Sequence, residues 1–217
     1  MIANRPVTIV EGDIDALIAR ARALAGAGGR RLLGITGAPG AGKSTVAARV
    51  AEALGDAAAL VPMDGFHLAN AELERLGRRD RKGAIDTFDA HGYVALLRRL
   101  RAPAGETVYA PVFRREIEEP IACAIPVAPE IPLVVTEGNY LLVPEEPWAA
   151  IRGLLDEAWY VAPDEETRIA WLIARHVEFG KPPDLARAWS LSTDQRNAEL
   201  VAATRGRADV LIPIEPG

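Results

Sequence analysis

One run of eight residues is suited to holding a phosphate chain. Gly37-Ala38-Pro39-Gly40-Ala41-Gly42-Lys43-Ser44 matches G-x-x-x-x-G-K-[ST], the Walker A pattern, at every fixed position. The glycines let backbone N–H groups approach a phosphate closely, and the N-terminus of the helix predicted after them points to the same place. The pattern therefore predicts a phosphate-binding loop formed by Gly37, Ala38, Pro39, Gly40, Ala41, Gly42, Lys43, Ser44 and Thr45.

The last three residues of this loop have side chains with separate uses. Lys43 reaches the β- and γ-phosphates of a triphosphate and offsets the charge that develops on the γ-phosphate, so we predict that it is catalytic. Ser44 offers a hydroxyl to Mg²⁺, and Thr45 reaches the α-phosphate.

Two carboxylates follow apolar strand patterns elsewhere in the chain. Asp64 comes after Ala58–Met63, and Glu137 comes after Pro132–Thr136. Ligands of parallel sheets bind at the carboxyl ends of the strands, so both acids face the loop if their strands neighbour the strand before it. Asp64 suits the deprotonation of an acceptor hydroxyl, and Glu137 suits Mg²⁺ binding. The alternative is that each is a helix cap or a loop acid.

The elements that position these residues alternate along the chain. Buried strands are predicted at Arg31–Thr36, Ala58–Met63, Pro132–Thr136, Glu157–Val161 and Asp209–Ile212, with a short strand at Val7–Val10. Helices are predicted from about Asp13, over Lys43–Leu54, Ala90–Arg101 and Trp148–Leu155, from Asp164 to about Gly180, and from Pro183 to about Ala203. Leu73–Lys82 has the pattern of a charged loop, and Pro103–Pro132 favours short strands outside the main sheet. The alternation predicts an α/β P-loop NTPase fold, a parallel sheet with helices on both faces.

Length and composition limit the class of protein. The 217 residues suit one domain over 1–217, with an N-terminal helical extension at 1–30 and a lid region at about 164–190. Hydrophobic residues make up 49% of the chain and charged residues 25%, which excludes a disordered protein. A net charge of −5 argues against nucleic acid as a partner.

Cysteine usage and hydropathy indicate the compartment. Cys123 is the single cysteine, so no internal disulfide forms and a reducing environment is expected. No signal pattern begins the sequence, and no apolar stretch of about 18 uncharged residues is present. We therefore expect a cytoplasmic protein without a membrane partner.

The phosphate loop and several further segments together carry a family resemblance. In these segments the chain resembles the P-loop nucleoside/nucleotide kinase family, which includes uridine kinase, type I pantothenate kinase, phosphoribulokinase and bacterial relatives with fructokinase-like names. The D-G-F-H and E-G-N-Y segments are more specific than the phosphate loop. The segments are Met63–His67, Arg81–Gly83, Thr87–Asp89, Tyr109–Pro111, Glu118–Pro120, Glu137–Tyr140 and Thr204–Asp209.

The resemblance implies an ATP-dependent kinase that acts on an alcohol group of a sugar, a nucleoside or a pantothenate-like acceptor. It places Asp64 beside the acceptor hydroxyl and the metal, and Glu137 at Mg²⁺. It also implies that Phe88 and Asp89 contact the acceptor and that lid arginines approach the phosphates. The nearest lid arginines are Arg168 and Arg175, of which Arg175 is predicted to be catalytic; the alternative is that both are solvated helix residues.

The remaining candidates come from the same segments. Arg205 is predicted to contact the nucleotide, and Tyr109 and Asn139 the acceptor. His67 either hydrogen-bonds the acceptor or holds Asp64. The run Arg78–Lys82 is either a solvated loop or a mobile loop beside an anionic substrate.

Arg114 departs from the family pattern. Many relatives have an aspartate at the position after Phe113, whereas this chain has a cation, which leaves room for an anionic acceptor. The alternative is that Arg114 pairs with an acid of the protein. Glu116, Glu118 and Glu119 are close in sequence.

Two other function classes stay open beside the kinase. One is a P-loop NTPase with a hydrolytic or regulatory role, and the other is a silent binding protein. A GTPase switch is disfavoured, since no Asn-Lys-x-Asp segment is present. The expected partner is a small-molecule substrate whose identity the sequence does not name, and a homodimer stays open.

Overall fold

A six-stranded parallel sheet carries the site. The computed structural model describes residues 8–9, 13–102 and 105–214. The strands of this sheet are β1 Thr8–Ile9, β2 Arg31–Thr36, β3 Ala58–Pro62, β6 Leu133–Glu137, β7 Glu157–Pro163 and β8 Val210–Ile214. Their order is β1-β8-β7-β2-β6-β3, and each neighbouring pair is parallel. The predicted parallel α/β fold is confirmed.

Helices cover both faces of this sheet. They are α1 Ile14–Ala25, α2 Lys43–Leu54, α3 Asn70–Arg75, α4 Ala90–Arg101, α5 Ala149–Leu154, α6 Glu165–Glu178, α7 Pro183–Ser190 and α8 Thr193–Ala202. Apolar residues of α1 and α2 pack on one face, and those of α4, α5 and α8 pack on the other. No helix in the described part of the chain is long and apolar enough to span a bilayer.

Two sequence-based element predictions were wrong. The segment predicted as a charged loop from Leu73 contains the end of α3, because Leu73 itself is buried. The helix predicted from Pro183 to about Ala203 is two helices, α7 and α8. The Ser192 hydroxyl donates to the Ala188 carbonyl at 2.8 Å and so competes with the helical backbone at the break. Val7 and Val10 of the predicted first strand lie outside the described residues.

A separate antiparallel hairpin stands beside the main sheet. It consists of β4 Val108–Arg114 and β5 Glu119–Val127, which confirms the strands predicted outside the main sheet. Gly65 lets this hairpin approach the 3₁₀ turn that follows β3, because a Cβ on Gly65 would lie 2.6 Å from the Pro111 carbonyl oxygen. The hairpin therefore passes close to Asp64, the residue before Gly65.

A second glycine brings two strand ends together. A Cβ on Gly138 would lie 2.5 Å from the Met63 Cβ, closer than side chains pack. Met63 follows β3 and Gly138 follows β6, so their contact sets the separation of Asp64 and Glu137.

We expect Gly138→Ala to lower the free energy of unfolding by about 1–3 kcal/mol, because the added methyl group overpacks a closed contact. Gly153→Ala is the matched control, since nothing lies within 4 Å of the position its Cβ would take in α5. Alanine is about 0.5–1 kcal/mol better than glycine inside a helix, so the control should be neutral or stabilising. Urea unfolding measures both; equal stability of the two variants would contradict the packing argument.

Candidate active site

The phosphate loop joins β2 to α2 at the carboxyl edge of the sheet. Gly40 and Gly42 both have φ of 83°, a left-handed conformation that favours glycine. A Cβ on Gly40 would also lie 2.7 Å from the Arg168 carbonyl oxygen of α6. Glycine is therefore required here both by the turn of the loop and by the helix packed against it.

The side chain of Arg168 is used by the protein itself. It is buried, donates to the Pro39 carbonyl at 2.7 Å and also binds Glu165 and Gln195. Arg168 and Arg205 line a cavity of about 390 Å³ against Ala38 and Ala41. Both arginines are predicted to contact the nucleotide, but neither lines a cavity that contains Lys43.

A cavity at the inner side of the loop is lined by several of the other predicted residues. Its volume is about 310 Å³, within the range of small-molecule sites. It contains eight of these eighteen predicted residues, and Lys43, Asp64 and Arg175, the three predicted to be catalytic, are among them. The eight are Pro39, Lys43, Ser44, Asp64, His67, Phe88, Asn139 and Arg175. The Asn139 Oδ1 atom is buried without a hydrogen-bond partner among the described residues.

Glu137 and Lys43 form the buried electrostatic centre of the site. Burial lowers the pKa of Lys43, and the negative charge of Glu137 opposes that shift. Burial likewise raises the pKa of Glu137, and the Lys43 ammonium opposes it. Each charge therefore supports the other at the carboxyl end of β6.

An aromatic pocket forms one end of the cavity. The His67 ring lies 4.1 Å from the Phe88 ring and 4.7 Å from the Phe113 ring, measured between centroids. His67 Nδ1 lies 2.8 Å from the Asp64 carbonyl oxygen, so His67 holds the turn that carries Asp64. Burial lowers the pKa of His67, which favours the neutral ring.

Arg115 is a site residue that the sequence analysis missed. Its guanidinium lies 3.7 Å from the Asp64 carboxylate and lines the cavity. Arg114, the predicted position, ends β4 opposite Glu119, is exposed and does not line the cavity. No ion pair of Arg114 with Glu116, Glu118 or Glu119 occurs among the described residues. The sequence shows two adjacent arginines, but only the turn after β4 decides that Arg115 is the one that lines the cavity.

Two more predicted acceptor contacts lie outside this cavity. Tyr109 on β4 is 53% exposed. Asp89 is exposed and is the N-cap of α4, where its carboxylate accepts a hydrogen bond from the Gly92 N–H at 2.8 Å. The cap gives Asp89 a structural role, whereas the Tyr109 side chain faces solvent.

The basic run divides into two pairs with different surroundings. Arg78 and Arg81 both form ion pairs with Asp86. Arg79 and Lys82 instead line the cavity. Lys82 also donates to the Asn70 side-chain oxygen at 2.7 Å and to the Glu118 carbonyl, so the protein itself uses part of this second pair.

We expect Asp89→Ala to destabilise the protein by about 0.5–2 kcal/mol, because α4 loses its N-cap. Asp89→Asn keeps a capping oxygen and should retain most of that stability. Urea unfolding of both variants measures the difference. A raised acceptor KM in both variants with unchanged stability would show instead that Asp89 contacts the acceptor.

Comparisons with known proteins agree with this geometry. Residues 32–179 match the model of the phosphoribulokinase/uridine kinase family. The ATP-dependent kinase-like protein notR′ of Aspergillus versicolor is 37% identical over 160 residues, covering 70% of this chain and 93% of that protein. A Schizosaccharomyces pombe protein provisionally named a uridine kinase is 34% identical, covering 70% of this chain and 68% of that protein.

A solved structure extends the likeness over more of the chain. It is from Silicibacter sp. TM1040 and is provisionally named a fructose transport system kinase. Its sequence is 35% identical, its TM-score is 0.80, and the match covers 91% of this chain and 98% of that one. The chain therefore belongs to the phosphoribulokinase/uridine kinase family and is an ATP-dependent phosphotransferase.

Proposed function

We propose that the enzyme transfers the γ-phosphoryl group of ATP to a hydroxyl of a small acceptor, namely a sugar, a nucleoside or a pantothenate-like acid. The observation that supports this is a single cavity with two kinds of wall. Lys43 and Ser44 line it on the phosphate side, and His67 and Phe88 form an aromatic pocket in it. Asp64 lines the same cavity, so the acid, the phosphate loop and the aromatic pocket face one space.

Each step of an in-line phosphoryl transfer can be given to a residue of the site. The acceptor oxygen bonds to the γ-phosphorus, and the bond from that phosphorus to the β,γ-bridging oxygen breaks. ADP leaves with the electron pair of that bond. Asp64 takes the proton of the acceptor hydroxyl, and Lys43 and Arg175 offset the charge on the phosphates.

The oxygen donors beside the loop fit Mg²⁺. Ser44, Asp64 and Glu137 supply a hydroxyl and two carboxylates. Within the described ranges, no group of three or more His, Cys, Asp or Glu side chains could hold a metal unaided. Mg²⁺ suits such a site, because it binds through one or two carboxylates together with substrate phosphates. When bound, the ion supplies positive charge to the β- and γ-phosphate oxygens.

Residues of the predicted lid cover another side of the cavity. Phe179, Lys181 and Trp189 line it, and the Lys181 ammonium lies 5.4 Å from the centre of the Trp189 ring. His176 of α6 contacts Asp194 of α8 at 2.7 Å. We propose that this segment excludes water from the γ-phosphate, because water that reaches it consumes ATP without an acceptor.

The acceptor end of the cavity favours a molecule that carries an anionic group. Arg79 and Lys82 lie there, and the Lys82 ammonium is 5.0 Å from the centre of the Phe113 ring. Burial lowers the pKa of Lys82, so a bound anion would stabilise its charged form. A carboxylate or phosphate on the acceptor meets this requirement.

The names of the relatives point to several acceptors. They include uridine kinase, pantothenate kinase and a kinase of fructose transport. The test is therefore a panel of nucleosides, sugars, sugar phosphates and pantothenate-like acids. We expect ATP consumption to depend on an acceptor, and an acceptor with an anionic group to be preferred over its neutral analogue. Mass spectrometry of the product and an ADP assay measure both, and equal ATP consumption without any acceptor would favour the hydrolytic NTPase.

We expect Asp64→Asn to lower kcat by about 10²–10⁴-fold, since a positioned base contributes that much and an amide takes no proton. ATP affinity should be largely kept. Asp80→Asn is the control, because the Asp80 side chain is 83% exposed. Unchanged turnover in Asp64→Asn would assign the proton to another group.

A further inference from the structure

Two cavities meet at one point of the site. The first is the cavity that contains the aromatic pocket, and the second, of about 360 Å³, is bounded by the phosphate loop and α6. The residues that line both are Lys43, Ser44, Arg115, Arg175 and Phe179. A group that passes from a nucleotide on the loop to an acceptor in the pocket must cross this junction.

Three cations from three different elements surround the junction. Lys43 belongs to the loop, Arg175 to α6 and Arg115 to the tip of the β4–β5 hairpin. Burial lowers the pKa of Arg175, and the charge of Arg115 lowers it further. Three cations that line one junction in a chain of net charge −5 make this a place suited to an anionic ligand.

The N–H donors of the Arg115 guanidinium form no hydrogen bond with the described residues. Its separation of 3.7 Å from the Asp64 carboxylate is longer than a hydrogen bond. Its other contact is with the Phe179 ring, whose centre lies 5.4 Å away. Among the described residues we find no acceptor for its N–H groups. Arg168, by contrast, donates to Pro39, Glu165 and Gln195.

We propose that Arg115 is a catalytic residue that binds the phosphoryl group during its transfer. The proposal rests on the proposed function, because it uses the same donor and the same acceptor pocket. Asp64 receives the proton of the acceptor oxygen that forms the new bond to phosphorus. Arg115 lies beside Asp64 and lines both cavities, so its guanidinium lies where the phosphoryl oxygens pass.

The chemistry of the step suits an arginine at this place. As the bond to the bridging oxygen breaks and the bond to the acceptor forms, negative charge spreads over the three equatorial oxygens. A planar guanidinium donates two parallel hydrogen bonds to such a group. Lys43 approaches from the nucleotide side, so Arg115 supplies the complementary contact from the acceptor side.

The first test measures binding and needs no acceptor. We would determine the Kd of ADP with Mg²⁺, with and without aluminium fluoride, which mimics the phosphoryl group in transit. Transition-state analogues bind about 10²–10⁸-fold more tightly than substrates, so the wild type should show tightening when fluoride is added. Arg115→Gln should lose most of the tightening, with a Kd for ADP alone close to wild type. Arg115→Lys, which keeps the charge without the planar fork, should fall between the two.

Arg114→Gln removes the same charge from the neighbouring position, whose side chain lines neither cavity. It should keep the full tightening. Equal tightening in Arg115→Gln and the wild type, no tightening in the wild type, or a loss confined to Arg114→Gln would each overturn the proposal. Melting temperatures check that the variants are folded.

The second test uses the acceptor that the panel identifies. We expect Arg115→Gln to lower kcat by about 10²–10³-fold, as loss of one preorganised donor does, with smaller changes in both KM values. A raised acceptor KM at unchanged kcat would instead assign Arg115 to the acceptor's own anion and overturn the proposal. A wild type inactive with every acceptor contradicts the proposed function alone, because the fluoride test still decides the role of Arg115.

Discussion

The site depends on two close contacts, one with a side chain and one with backbone, that glycine permits. At Gly138 the chain after β6 touches Met63, and at Gly65 the turn after β3 touches Pro111 of the hairpin. The first contact brings the ends of two strands together, and the second brings the hairpin to the same place. Asp64, Glu137 and Arg115 are neighbours because of these contacts, although they lie far apart in the chain.

The charge of the site opposes that of the molecule. The chain carries −5 overall, yet Lys43, Arg115 and Arg175 meet at one junction. Repulsion between these cations raises the free energy of the protein without a ligand, and a bound polyanion offsets that repulsion. In the proposed reaction, these charges bind the phosphates and the aromatic pocket recognises the acceptor.

The two sides of the site are built on different kinds of element. The phosphate side rests on the main sheet and on α2, with the loop tied to α6 through Arg168 and Pro39. The side that we propose for the acceptor is formed by a turn, by the basic segment and by the hairpin tip. Rigid strands suit a nucleotide, and loops accommodate changes in the acceptor without altering the sheet. This division is consistent with a family whose members bear the names of different substrates.

The sequence by itself determined the parallel α/β fold, the phosphate loop and the acids after β3 and within β6, because these follow from short patterns of period and glycine spacing. Only the tertiary structure decided that Arg115 rather than Arg114 faces Asp64. It also decided that Asp89 caps α4 and that Arg168 turns to the loop backbone. Such outcomes depend on turn geometry and on packing between distant segments. Arg115 lies in the turn after β4, outside the alternation of the strand, so the period of the strand does not predict which way its side chain points.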